Sequence, residues 1–345
     1  MNKIGYASVF AGASLFILLF IFSKEFIEGI NKGLLTSINV IIPSLFPFMI
    51  AATLTGSGKL PRFIIRLLDP ICNFLFGLPG STALCIITSQ LGGYLAGAKG
   101  AQSLFSNGII SRTQAERLLF FCVNSGVGFS VNAVGCAMLC SRQAGKVLFI
   151  SLCVSSLITG FILKLTPADK TVLSLRENTP SSFSAVFTGS VSSCAKAALY
   201  TCGFTALASG IINVTNAYIK NETLRIVAAC LIEVTNGCAQ LAGKASLPII
   251  AAVCAFGGLC VHLQIFSLTQ KIKINVPKFY FFRLFHCVSA YTVCKSITHF
   301  YPIESEVFLS FSENAAAFSF SAPAAISMLF LCILMIFDLD NSVKI

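Results

Sequence analysis

Charge is scarce in this 345-residue chain: Asp, Glu, Lys and Arg make up 11% of it, against about 25% in a soluble domain. With 56% hydrophobic residues, it cannot cover itself with a hydrated surface. Tryptophan is absent and only three histidines occur. No two histidines have metal-ligand spacing, and none of the fifteen cysteines forms a C-x-x-C pair, so a zinc ligand set is missing. H-E-x-x-H, G-x-S-x-G and Walker A motifs are missing too, and Gly56-Ser-Gly58-Lys59 is too short for a phosphate loop. These absences speak against an enzyme, a metal and a resident cofactor. The net charge of +11 gathers into no basic block with interleaved aromatics, so nucleic acid is not an expected partner. The basic residues lie in successive polar gaps, as membrane-flanking residues that meet lipid headgroups do, and they favour neither orientation.

What the chain has instead is apolar length. A bilayer takes about 20 mostly apolar residues per helix, and the runs Ile4 to Phe22, Val147 to Leu165 and Ala324 to Phe337 stand out. The first run outlasts a signal-peptide core and ends without an A-x-A-like site, so it is expected as a retained helix. Cysteines lie mostly within apolar runs and are expected as small packing residues without disulfides.

Several spans look broken. VIIPSLFPFMI carries Pro43 and Pro47, each removing a backbone donor. Leu60 to Asn73 sets Arg62, Arg66, Asp69 and Asn73 on one helical face, which predicts a helix along the membrane surface, bent or ended by Pro70. Thr82 to Ala98 ends in QLGGYLAGAKG, whose Gly93-x-x-x-Gly97 also suits close helix packing. A hairpin over Ala101 to Arg117 should turn at Asn107-Gly108. FCVNSGVGFSVNAVGC (Phe121 to Cys136) then puts amides, serines and glycines inside a span.

The second half repeats this order. Phe187 to Ile212 is interrupted by Ser190, Ser192, Ser193, Lys196 and Gly203. LIEVTNGCAQLAG (Leu231 to Gly243) takes the place of QLGGYLAGAKG, and VCAFGGLCVHLQ (Val253 to Gln264) aligns with FCVNSGVGFSVN. The expected fold class is therefore all-α: a polytopic membrane protein with two pseudo-repeated halves, broken or re-entrant helices and roughly eight to ten membrane segments. Expected boundaries are an N-terminal helix and loop over 1–33, a first half over 34–166, a linker over 167–184, a second half over 185–270 and C-terminal helices over 271–345.

Broken helix inside hydrocarbon is tolerated only where protein or a wet cavity surrounds it, and duplicated broken segments point to a transporter's site. Freed N–H groups at half-helix starts suit an anion. The expected substrate-lining residues are Asn124, Ser125, Gly126, Asn132, Asn236, Gly257, Gly258, His262 and Gln264, with Lys99 and Lys196 as cations. Glu233 follows an apolar run from Ile226; an intramembrane carboxylate marks an ion, proton or substrate path, so it is the expected ion-coupling residue. The polar positions from Arg283 to His299 recur mostly every third residue and drift about 60° per step, so only Arg283 and His286 are expected near a cavity. Two bland readings compete: small residues as packing seams, and a membrane scaffold that transports nothing.

In order, VIIPSLFPFMI, GGYLAGAKG, NGIISRTQAERLLFFCVNSG, EVTNG and FGGLCVHLQ resemble the Gate-domain (nucleoside-recognition) sporulation integral membrane proteins of the YlbJ/SpoVV type. The resemblance runs from about Leu34 past Gln264. Leu95 stands where the family has the proline of GYP-x-GAK, and Val123 and Val127 replace the ends of its N-N-S-G-P. Those losses imply a less sharply broken first half. The resemblance implies a multi-pass protein of the outer forespore membrane that moves dipicolinic acid from mother cell to forespore. Lys99, Lys196 and Arg283 would then receive carboxylates, with other sporulation membrane proteins or a second copy as partners. A nucleoside or other small solute is the alternative cargo.

Overall fold

The computed structural model describes residues 3–57, 62–166 and 182–302, and every regular element among them is helical. The chain opens with α1 (Lys3–Ile21) and α2 (Ser23–Thr36), passes through a π-helical turn at Ser37–Ile41, and continues as α3 (Ile42–Ser57) and α4 (Arg62–Phe76). The first set of short helices is α5 (Ala83–Gly92), α6 (Tyr94–Ser106), α7 (Arg112–Phe121) and a π segment at Gly128–Met138. Two long helices follow, α8 (Arg142–Leu163) and α9 (Phe183–Tyr218). The second short set is α10 (Glu222–Ile232), α11 (Val234–Leu241), α12 (Leu247–Phe256) and α13 (Gly258–Leu268), closed by α14 (Val276–Phe300).

This is a polytopic membrane protein. Among the described residues, α8, α9 and the α12–α13 stretch are long and apolar enough to cross a bilayer. Two bent pairs raise the total to five: α2 with α3, bent by 53°, and α4 with α5, bent by 90°. That is fewer than the eight to ten segments expected, because several helices stop after about ten residues; the run 324–337 lies outside the described residues. Large apolar side chains stand exposed on the outer faces, among them Phe20, Phe161, Leu199, Phe281 and Val288. In lipid rather than water such exposure carries no penalty.

Local chemistry sets the helix starts. Ser111 accepts from Gln114 N while the Gln114 side chain accepts from Ser111 N, a capping box at the head of α7. Ser141, Ser182, Asn221 and Asn275 accept from first-turn N–H groups of α8, α9, α10 and α14. The predicted hairpin turn is present, with Gly108 at φ +68°. In α8 the buried hydroxyls of Ser151, Ser155 and Thr159 bond back to carbonyls of their own helix, so this face stays dry without breaking the span.

Arginines act at the other ends. Arg117 donates to Phe76 O (3.0 Å) and Gly77 O (3.2 Å) at the end of α4, and Arg225 donates to Asn216 O (3.1 Å) near the end of α9. Carbonyls at a helix C-terminus are unpaired and carry partial negative charge, so a guanidinium meets both needs at once. These two residues, read in the sequence only as basic residues of polar gaps, serve the fold directly.

Several expectations need correction. α9 runs unbroken for 36 residues: its serines, threonines and glycines cost a few tenths to about 1 kcal/mol each in a helix, too little to stop it. Pro70 neither ends nor sharply bends α4, which continues to Phe76. Arg66, Asp69 and Asn73 are exposed there, as are Phe63, Leu67 and Ile71, in keeping with a surface helix. The loss of two prolines does not blunt the first half, because Gly93 at φ +84° and an unwound Val123 to Gly126 break it without them. The polar stretch 167–181 lies outside the described residues.

Close packing falls on glycines. A Cβ on Gly29 would meet Ser209 O and one on Gly33 would stand 2.8 Å from Ala206 Cα, which brings α2 and α9 into contact. A Cβ on Gly97 would collide with Cys122 O, the carbonyl just after α7. Gly97→Ala is therefore expected to destabilise the fold by about 1–3 kcal/mol, as overpacked sites do. A lowered unfolding midpoint in detergent–SDS titration would register it, and an unchanged midpoint would count against this packing.

Candidate functional site

Four helix breaks meet in the interior. In the first half, α5 gives way to α6 at Gly93 (φ +84°, ψ −168°), and α7 gives way to the π segment through the unwound residues 123–126. In the second half, α10 gives way to α11 at Glu233, and α12 to α13 at Gly257 and Gly258 (φ +87° and +78°). Within each half the two breaks touch. A Cβ on Gly126 would stand 2.6 Å from Gly93 N, and one on Gly258 would stand 3.0 Å from Val234 N. The halves are joined as well: Tyr94 Oη donates to Cys254 O at 2.5 Å, and a Cβ on Gly257 would press on the Tyr94 ring at 3.1 Å.

The carbonyls freed by these breaks are met by side chains. Arg283, fully buried on α14, donates to Phe120 O (2.5 Å), Val123 O and Ala255 O (3.5 Å). One guanidinium thus closes the C-terminal ends of α7 and α12, one helix from each half. Ser156 donates to Phe121 O at 2.7 Å. His262 Nε2 lies 2.8 Å from Phe256 O, with its ring packed edge-on among Phe256, Phe279 and Tyr280.

The N-terminal ends are treated unequally. Glu233 is the N-cap of α11, and its carboxylate accepts from Thr235 N (3.0 Å), Asn236 N (2.8 Å) and Asn236 Nδ2 (2.9 Å). At the matching start of α6 the N-cap is Gly93, and no side chain caps it. Gly93, Tyr94, Leu95 and Gly126 from one half line a common cavity with Glu233 and Gln264 from the other. It offers about 50 Å³ to the centres of water-sized molecules, room for about three to five waters. A second cavity of about 70 Å³ lies beside it, lined by Thr36, Val40 and Asn236; Thr235 faces both.

The residues singled out in the sequence fall into three groups. Gly126, Glu233 and Gln264 line the first cavity and Asn236 the second. Asn124, Ser125, Gly257 and Gly258 form the breaks behind the wall. Asn124 Nδ2 donates to Gln90 Oε1 (2.8 Å), whose Nε2 donates to Ser156 Oγ (3.0 Å), and Ser125 Oγ lies 2.9 Å from Ser130 Oγ. The remaining four line neither cavity. Lys99 is turned to α9, donating to Ser193 O and Oγ at 2.9 Å each. Lys196 is exposed on α9, Asn132 is half-buried in the π segment, and His262 is held by its carbonyl and aromatic cage. Arg283 is committed to carbonyls rather than to a cavity, and His286 is fully buried beside it on α14.

Sequence reading missed Thr201 and Thr205, which line the first cavity from α9. Their four-residue spacing puts two hydroxyls on one helical face, and that signal was available in the sequence.

A search of curated proteins finds the sporulation integral membrane protein YlbJ of Bacillus subtilis (strain 168), 30% identical over 137 residues. The match takes in 40% of this chain and 34% of that protein, so the chain covers about a third of its relative's length. No family model matches, and no solved structure does.

Proposed function

We propose that this chain is a carrier of the spore-forming cell rather than an enzyme, taking a small organic anion across a membrane through the cavity at the helix breaks. Dipicolinic acid, moved from mother cell to forespore across the outer forespore membrane, is the cargo we assign. The observation that carries the reading is a cavity lined by three of the four breaks, with the fourth packed behind it, an open helix start on one side and an intramembrane carboxylate on the other. Breaks of this kind belong to transporter sites, and ionisable groups at this depth belong to substrate and proton paths. The membrane and sporulation parts rest on the relative's name as well as on the apolar helices; the cargo rests on the family resemblance. Glu233 is placed as the coupling residue, able to exchange a proton as cargo enters and leaves. Lipid is the surrounding partner, and other sporulation membrane proteins or a second copy are the protein partners we assign.

Uptake of labelled dipicolinate into proteoliposomes is the test. Intact protein should accumulate label that nucleosides do not displace, whereas Glu233→Gln should reduce uptake at least about tenfold with folding preserved. Asn124→Ala should reduce it too, by loosening the Gln90–Ser156 chain behind the first-half break. Displacement by nucleosides would assign a nucleoside carrier instead. A folded protein that takes up neither solute would be a scaffold, and its glycine-rich breaks would be packing seams.

A further inference from the structure

The two first-in-half breaks are built alike, yet only one has a cap. At α11 the chain supplies a carboxylate, Glu233, to its own helix start. At α6 it cannot. Gly93 sits at φ +84° and ψ −168°, a region that only glycine occupies freely, so no side chain can be placed at that N-cap. Gly93 O receives Ala96 N and Gly97 N, which leaves the N–H groups of Tyr94 and Leu95 as the open donors of the first turn. They head a 13-residue helix, whose dipole adds partial positive charge there.

Two further groups point the same way, independently of the helix. Thr205 is 2% exposed and its hydroxyl makes no hydrogen bond among the described residues, while it lines the same cavity. Gln264 is 5% exposed and also lines it. Its amide oxygen has Thr201 Oγ1 at 3.4 Å, and its Nε2 bonds to nothing among the described residues. A buried hydroxyl and a buried amide rarely go unpaired, so both are available donors. Among the described residues the only carboxylate facing the cavity, Glu233, already has three N–H partners on α11.

We infer that the start of α6, with Thr205 and Gln264, is a carboxylate subsite: a ligand carboxylate does for α6 what Glu233 does for α11. Its donors are Tyr94 N, Leu95 N, Gln264 Nε2 and Thr205 Oγ1, all on residues that line the one cavity. The inference rests on the carrier reading for its place in the cell, but it concerns binding and can be measured apart from transport.

The experiment is equilibrium binding of radiolabelled dipicolinate to the purified full chain in nanodiscs. Benzoate serves as the minimal carboxylate competitor and pyridine-2,6-dicarboxamide as the neutral isostere. Leu95→Pro removes one donor at the second helical position, where α12 and α14 already carry Pro248 and Pro277. Thr205→Val and Gln264→Leu remove the others with little change of shape. Each should weaken dipicolinate and benzoate about tenfold or more, the usual cost of losing a hydrogen bond to a charged group, and the diamide should not compete. Should Leu95→Pro not fold, the two side-chain variants decide alone. Variants that melt like the parent and bind within about twofold of it would overturn the subsite, as would a diamide that binds as well as dipicolinate. Failure of both dipicolinate and benzoate to bind folded protein would overturn it too. Benzoate bound through these donors without dipicolinate uptake would leave the subsite standing and sink the carrier reading.

Discussion

Arg283→Met is expected to be the most damaging single substitution outside the glycines, lowering stability by about 3–5 kcal/mol, the range for breaking a buried charged interaction. Methionine fills similar volume but donates nothing, so Phe120 O, Val123 O and Ala255 O lose their shared partner. Inside a membrane each orphaned carbonyl has no water to turn to. The partial negative ends of α7 and α12 would also face each other uncompensated. Arg283→Lys should fall between, since one ammonium cannot span three carbonyls as a planar fork does. The detergent–SDS unfolding midpoint should rank parent, lysine, methionine in that order. A methionine variant as stable as the parent would show that other groups hold these breaks.

Glu233→Ala should be the second large loss, and of a different kind. It leaves Thr235 N and Asn236 N uncapped, at about 1–3 kcal/mol for each unsatisfied buried group, and frees the Asn236 amide. Glu233→Asp should restore most of that stability, because aspartate is itself a strong N-cap. If Glu233 also carries the coupling proton, the shorter side chain should regain stability without regaining full uptake. Equal recovery of both in the aspartate variant would leave Glu233 as a cap alone.

Much of this site could be read in the sequence. Glycines and amides at Asn124 to Gly126 and Gly257-Gly258 marked real breaks, because a bare backbone inside an apolar run has few other uses. Glu233 drew attention as a lone carboxylate at depth, though its partners, two backbone N–H groups of the next turn and the Asn236 amide, became visible only in three dimensions. What misled was treating every polar residue in a span alike. Ser190, Ser192 and Ser193 looked like an interruption, yet hydroxyls can bond to their own helix, and α9 stays whole. Arg283 looked like a substrate cation because its acceptors are main-chain carbonyls, which no side-chain pattern reveals. Lys99 on α6 and Lys196 on α9 went different ways for the same reason: only tertiary placement separates a tether from an exposed amine.

Arg283 and Tyr94 also decide which parts of the protein can swing. The breaks of the two halves are bolted together by one guanidinium and one phenol hydroxyl, so prising the halves apart would strip several buried carbonyls at once. The wall formed by α9 and the bent α2–α3 pair is held differently, through an apolar seam of Met49, Leu95, Cys194 and Ala197 and a few side-chain ties. Its ties to the breaks include Lys99 on Ser193, the long Thr201–Gln264 contact, and Asn236 on Ser209 at 2.8 Å. On the carrier reading proposed above, cargo passes by parting this wall, a door against a fixed jamb, because slipping helix faces past one another strips fewer buried carbonyls than opening the joint between the halves.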